Sequence, residues 1–230
     1  MNASLTLARD GAERHAGRAL PLLDRLEAVF APGMQGSPGV RLHGLPALAD
    51  LLGADGAIGG AAAQAIGAGA RPVRAILFDK RETANWALGW HQDRTVAVAA
   101  RRTVPGYGPW TVKRGIVHVA LLENMVTLRV HLDPVDACNA PLLIAPGSHR
   151  ALVPEGKIAA EVARCGIATC PAARGDVWLY ATPILHASER ARAPARRRRV
   201  LQIDYSTARL PEGLSQLPKI IGMDVFESLW

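Results

Sequence analysis

Two of the chain's seven histidines are followed two residues later by an aspartate. The first pair is His91-Gln92-Asp93 and the second is His131-Leu132-Asp133. In a β-strand, residues i and i+2 point to the same side, so either pair can aim an imidazole and a carboxylate at one point. A third donor lies far downstream, where His186 sits in the strand-like segment Leu185-His186-Ala187-Ser188. Two histidines and one carboxylate on one face of an octahedron are the ligand set of a non-haem Fe(II) oxygenase, with positions left open for cosubstrate and oxygen. The alternative for any single histidine is a hydrogen-bonded structural role, and spacing alone does not choose between the two pairs.

Arginines form the second candidate feature. Basic residues outnumber acidic ones 27 to 20, a formal charge of +7, yet only Lys80, Lys113, Lys157 and Lys219 are lysines. Six arginines fall between Arg190 and Arg199. A basic patch invites anionic partners, nucleic acid among them. Single-stranded nucleic acid also needs aromatic side chains for base stacking, and none lies between Arg190 and Arg199. The run therefore reads as a solvated or ion-paired loop, with no nucleic-acid partner expected.

The elements that must position these groups change character near residue 70. Ala16, Leu20, Leu23, Leu26, Val29 and Phe30 recur at steps of three and four, which predicts an amphipathic helix over 12–31, started or kinked at Pro21. Leu45 to Gly67 reads as helix broken at Gly53 and Gly59-Gly60. From Arg71 onward come short β-prone runs: Val73–Phe78, Thr95–Ala99, Val126–Leu132, Leu142–Ile144, Val177–Tyr180, Ile184–His186 and Val200–Tyr205. One helical stretch, Gly156–Cys165, interrupts them. Successive short strands without alternating helices predict a β-sandwich or barrel. The expected organisation is a single domain over 1–230, with a helical layer at 1–70, a β core at 71–210 and a tail at 211–230.

Composition agrees with that size. With 49% hydrophobic and 20% charged residues, the 230-residue chain is neither disordered nor fibrous. No apolar run has the length of a membrane span, so no membrane partner is expected. The opening MNASLTLARD has no apolar core of a secretory signal. Three cysteines (Cys138, Cys165 and Cys170) without a CxxC argue against a disulfide framework or structural zinc, and a reducing cytoplasm is the expected home.

Four segments, in order, resemble the phytanoyl-CoA dioxygenase family. They are LFDKRETANWALGWHQDRTVAV, VPGYGPWTVKRGIVHV, TLRVHLDPVDACNAPLLIAPGSHR, and GDVWLYATPILHAS followed by RRRRVLQIDYS. The resemblance runs from about Val73 to Tyr205. It implies a double-stranded β-helix, a jelly-roll or cupin-like barrel with N-terminal helices outside. It also implies Fe(II) held by His91, Asp93 and His186, with His131 and Asp133 left structural. The implied cosubstrates are 2-oxoglutarate and O2, and the implied products are succinate, CO2 and a hydroxylated small molecule. That substrate would be an acyl-CoA, an amino acid or a natural-product intermediate. Halogenating relatives lack the carboxylate, so Asp93 points to hydroxylation or an oxidation branching from it.

The same resemblance implies an arginine for the distal carboxylate of 2-oxoglutarate. Counting forward from His186 gives Arg197. Counting back from Tyr205 gives Arg198, which shares strand phase with Val200, Gln202 and Asp204 and requires one extra residue after Pro194. Arg198 is favoured and Arg197 is the alternative. Gln92, Ser188 and Trp110 match family positions that contact 2-oxoglutarate, with core packing as the other reading of Trp110. Pro146-Gly147-Ser148-His149 reads as a tight turn, leaving His149 structural. Asn139-Ala140 stands where the family usually has Asn-Gly, a departure expected to disturb a turn and touch no ligand. Against catalysis stand two alternatives, a non-catalytic jelly roll that binds metal or a small molecule and, less favoured, an arginine-mediated nucleic-acid binder.

Overall fold

Alternation along four strands organises the molecule, because successive side chains of a strand point to opposite faces. On β13 (Arg198–Ser206), Leu201, Ile203 and Tyr205 enter one apolar cluster, while Arg198, Gln202 and Asp204 take the other side. On β8 (Met125–His131), Val126, Leu128 and Val130 join that cluster, and Thr127, Arg129 and His131 alternate with them. On β3 (Arg71–Lys80), Ala75 and Leu77 do the same, leaving Arg74 and Lys80 in the opposite phase. On β11 (Val177–Ala181), Val177 and Leu179 face the cluster, and Trp178 and Tyr180 face away.

The computed structural model describes residues 4–30, 38–42, 46–113, 116–120, 124–192 and 196–215. After a short first helix, α1 (Leu7–Asp10), the apolar face of those strands is covered by α2 (Leu23–Phe30), α3 (Ala49–Leu52) and α4 (Gly59–Ile66), through Leu23, Leu26, Phe30, Leu51, Leu52 and Ala62. The Tyr205 hydroxyl fastens β13 to this layer by donating to the Leu52 carbonyl at 3.0 Å.

The larger sheet is antiparallel, in the order β1 (Ala12–His15), β11, β8, β13, β3 and β2 (Gly39–Arg41). A second sheet runs β10 (Ala168–Cys170), β9 (Leu142–Ile144), β12 (His186–Ser188) and β4 (Leu88–His91). The two meet across Leu142, Ile144 and Cys170 on one side and Trp178 and Tyr180 on the other. A third sheet of β5 (Thr95–Val98), β7 (Ile116–Ala120) and β6 (Trp110–Lys113) sits beside them. The architecture is a double-stranded β-helix with helices on the outer face of its larger sheet.

Two differences from expectation lie in the first 70 residues. The helix expected over 12–31 starts as strand β1 and becomes α-helix only at Leu23, after a 3-10 turn at Leu20–Leu22 that carries Pro21. Gly17 interrupts it, with φ of 63° and its N–H donated to Asp176 Oδ1 at 2.8 Å. A positive φ is open to glycine without steric cost and cannot continue a right-handed helix. Strand β2 also falls in this stretch, so the expected helical layer supplies both edge strands of the larger sheet. The break at Gly53 is present, and the helix expected at 156–165 spans α5, Ile158–Cys165.

Leu128 is fully buried between sheet and helices. Leu128→Ala should lower unfolding free energy by about 2–5 kcal/mol, read as a drop in the denaturant midpoint.

Candidate active site

His91 and His186 are direct cross-strand partners on β4 and β12, which explains how residues so distant in sequence meet. Their ring centroids are 4.2 Å apart. Strand β4 ends at His91, so Asp93 reaches the site from the connection to β5 rather than by strand alternation. One ligand atom from each of His91, Asp93 and His186 lies within 4.8 Å of the others.

The remaining atoms of the triad are already committed. His91 Nδ1 lies 2.7 Å from the Gly89 carbonyl, and His186 Nδ1 lies 3.0 Å from the Ile184 carbonyl. A carbonyl only accepts, so Nδ1 carries the hydrogen in each ring and Nε2 keeps a lone pair for a metal. Asp93 Oδ2 accepts from Arg74 Nη2 at 2.7 Å, which leaves Oδ1 toward the histidines. Arg74 also donates to Asp204 Oδ2, and Asp204 Oδ1 accepts from Thr127. Burial pushes the Asp93 carboxyl up, but Arg74, His186 and His91 more than offset it and hold it well below the usual range. Burial, then His91, lowers the His186 imidazole to about 4. The triad thus presents an ionised Asp93 carboxylate and a neutral His186 imidazole, protonation states that a divalent cation requires.

The other end of the same interior is cationic. Arg198 is buried, and its Nη1 donates to the Ala140 carbonyl. Ser188, two residues past the metal-site histidine, places its Oγ 3.4 Å from that same carbonyl. Through its carbonyl, Ala140 is therefore a shared hydrogen-bond partner of these two groups of the candidate pocket. It holds φ of 52°, the left-handed conformation the family's glycine adopts freely and alanine adopts at roughly 1–2 kcal/mol.

The arginine run is resolved by alternation. Arg197 is exposed and pairs with Asp79 at 2.9 and 3.0 Å. Arg199 pairs with Asp133 at 2.7 Å and Glu27 at 2.8 Å, and Arg196 pairs with Asp136. Only Arg198 of the four points inward. The extra residue placed after Pro194 lies outside the described residues.

Two expected contacts are placed elsewhere. Gln92 donates to the carbonyls of Ala151 and Pro183 at 2.9 and 2.5 Å and accepts from the Val153 N–H at 2.9 Å. Its amide therefore clamps two loops. Trp110 packs on the apolar cluster of Val96, Val98, Val119 and Met125, which is the packing reading. The second histidine–aspartate pair diverges: His131 is buried inside, while Asp133 is held by Arg199. Sequence reasoning missed Arg74 and Lys80, whose signal is a charge in the inward phase of an otherwise apolar strand.

A model of the phytanoyl-CoA dioxygenase family matches residues 48–200, about two-thirds of the chain. The chain belongs to the phytanoyl-CoA dioxygenase family. No curated protein sequence matches it significantly. Among solved structures, HygX from Streptomyces hygroscopicus, with nickel and 2-oxoglutarate bound, is similar at 16% identity and a TM-score of 0.60, over 98% of this chain and 95% of that one. EctD from S. alaskensis, with 2-oxoglutarate and 5-hydroxyectoine, gives 16% and 0.63 over 100% and 91%. AviO1 from Streptomyces viridochromogenes Tue57 gives 21% and 0.57 over 89% and 93%. At these identities the likeness carries the fold. Among the described residues, no helix is long and apolar enough to cross a membrane.

Two outcomes follow for metal and proton. Asp93→Ala should abolish stoichiometric Fe(II) binding, and Asp133→Asn should leave it within about twofold, as read by anaerobic titration. In the metal-free protein, His186 titrates near 4, against about 6.5 when exposed. The unfolded chain then binds the proton more readily, so stability present above pH 6.5 should drain away as pH falls toward 4. Thermal melts across that window should show the fall, and a flatter profile for His186→Gln.

Proposed function

We propose that this protein is an Fe(II)- and 2-oxoglutarate-dependent dioxygenase that hydroxylates an unactivated C–H bond of a small molecule, with succinate and CO2 as co-products. One observation carries the reading: an open His–Asp–His triad and Arg198, the inward-facing member of the 196–199 arginine run, share the interior of one β-helix. A ferrous ion bound there would supply the site for chelation of the 2-oxo acid and activation of dioxygen.

The chain's own residues do the rest. His91 and His186 offer Nε2 in a fixed tautomer, and Arg74 holds Asp93 so that one oxygen faces the metal position. Arg198 receives the distal carboxylate through a planar guanidinium fork, and Ser188 offers a hydroxyl beside it. Trp178, Tyr180, Leu142 and Ile144 wall the interior with rings and hydrocarbon, which strengthens every charge interaction within it. Asp93 occupies the position that halogenating relatives leave vacant, which supports hydroxylation. Substrates of the small-molecule kind, an acyl-CoA, an amino acid or a natural-product intermediate, are supported by similarity to EctD with 5-hydroxyectoine and to the carbocyclase SnoK from nogalamycin biosynthesis. The cysteines, all free, suit a reducing cytoplasm.

The test is turnover. With Fe(II), ascorbate and O2, the protein should convert 2-oxoglutarate to succinate, faster once a substrate panel includes the right compound. Arg198→Ala leaves a carboxylate unpaired in a buried site, at a cost of roughly 3–5 kcal/mol, and should raise the 2-oxoglutarate requirement about two to three orders of magnitude. Arg197→Ala should change it less than about twofold, because that arginine serves Asp79 at the surface. The reverse ranking, or iron loading without succinate from any panel member, contradicts the reading.

A further inference from the structure

Lys80 is the most deeply buried charged side chain described, at 0% exposure, and the triad does not use it. It lies directly opposite Arg198 in the β3–β13 register. Like charges facing each other across strands repel, and burial strengthens the repulsion. Among the described residues, every charged group acting on Lys80 is a cation: Arg198 from β13, Arg129 from β8 and Arg190 from the segment after β12. The neighbouring Asp79 points out to Arg81 and Arg197, and Glu189 is exposed, offering Lys80 only its backbone carbonyl. Polar atoms around this cluster are unpartnered as well. Arg198 Nε, Arg129 Nε and both ring nitrogens of His131 are buried without a hydrogen bond among the described residues. The cluster has the composition of a site built for an anion that carries more than one charge.

The contacts of Lys80 itself suit two protonation states. Nζ lies 2.7 Å from the Trp86 carbonyl, 2.7 Å from the Glu189 carbonyl and 3.3 Å from Ser188 Oγ. A neutral amine has two hydrogens for the two carbonyls and one lone pair, which accepts the Ser188 hydroxyl. An ammonium has a third hydrogen, which it donates to Ser188 Oγ, and the serine hydrogen is then free to turn elsewhere.

We propose that Lys80 is a second cation of the 2-oxoglutarate site, that it takes up a proton when the dicarboxylate binds, and that this proton reverses the Lys80–Ser188 hydrogen bond so that the serine hydroxyl donates to the ligand. The inference rests on the 2-oxoglutarate reading above and adds to it a positioning residue and a proton. Burial, then Arg198, Arg129 and Arg190, lowers the free Lys80 ammonium to about 6. An added carboxylate works against those three cations and restores the charge. His131, whose imidazole burial holds well below its ordinary value, is the other group in the cluster able to accept a proton.

The test is calorimetric titration of 2-oxoglutarate into full-length protein loaded with Mn(II), without oxygen, in buffers of different ionisation enthalpy. At pH 8, binding should take up close to one proton, and affinity should fall roughly tenfold per unit between pH 7 and 9, where 2-oxoglutarate itself does not titrate. Lys80→Met should bind more weakly at pH 7, with no uptake and a flat profile. Lys80→Arg, which keeps a charge that does not titrate, should also be flat. Tight binding without proton uptake in the wild-type protein overturns the proposal, and that measurement needs no variant. Uptake that survives in Lys80→Met and disappears in His131→Gln overturns it in favour of the histidine. Failure to bind 2-oxoglutarate at any pH overturns the cosubstrate reading itself, a result distinct from binding without a proton.

Discussion

Between its two main sheets the protein holds four cations, Arg74, Lys80, Arg129 and Arg198, with two carboxylates, Asp93 and Asp204; Arg74 and Asp93 are half-buried and the others buried. A buried charge is costly unless it is compensated, and the compensation is uneven. Both carboxylates gather at one end around Arg74. That end, with two imidazoles facing it, has the negative charge and lone pairs that a divalent cation needs. The far end holds Lys80, Arg129 and Arg198 with no acidic side chain hydrogen-bonded to them among the described residues. The interior is thus polarised along its length, metal-seeking at one end and anion-seeking at the other. A ligand that chelates through one end and carries a carboxylate at the other satisfies both.

This polarity is inexpensive to build because a strand separates alternate residues. The three strands that carry the charges inward, β3, β8 and β13, carry Ala, Leu, Ile and Val outward to the helices. Hydrophobic burial on the outer face stabilises a sheet whose inner face is reserved for chemistry. The same alternation sorts four consecutive arginines. Arg197 and Arg199 turn out to acidic side chains, Arg198 turns in, and Arg196 meets Asp136 before the strand begins.

Much of this was legible in the sequence. The strand runs, the triad and the inward phase of Arg198 all follow from period-two alternation together with the family resemblance. The failures have physical causes. The stretch 12–31 has a helical stripe, but Gly17 and the pairing of β1 with β11 override it, since tertiary context outweighs a weak local preference. Gln92 sits between two ligands in sequence, yet adjacent side chains diverge and it spends its amide on loops. Ala140 contributes a backbone carbonyl beside Arg198 and Ser188, which residue type alone does not reveal. Lys80 and Arg74 were passed over as ordinary charges, because cross-strand neighbours at long sequence separation cannot be read from one chain.

The most direct test of the account is the visible spectrum of the ferrous protein without oxygen. A 2-oxo acid that chelates Fe(II) through its keto and carboxylate oxygens gives a charge-transfer band that neither component has alone. The band should appear when 2-oxoglutarate is added to the iron-loaded protein, and it should be absent from Asp93→Ala. A folded protein that binds iron and 2-oxoglutarate yet develops no such band would contradict a shared site, and with it the central claim that the two ends of this interior serve one ligand.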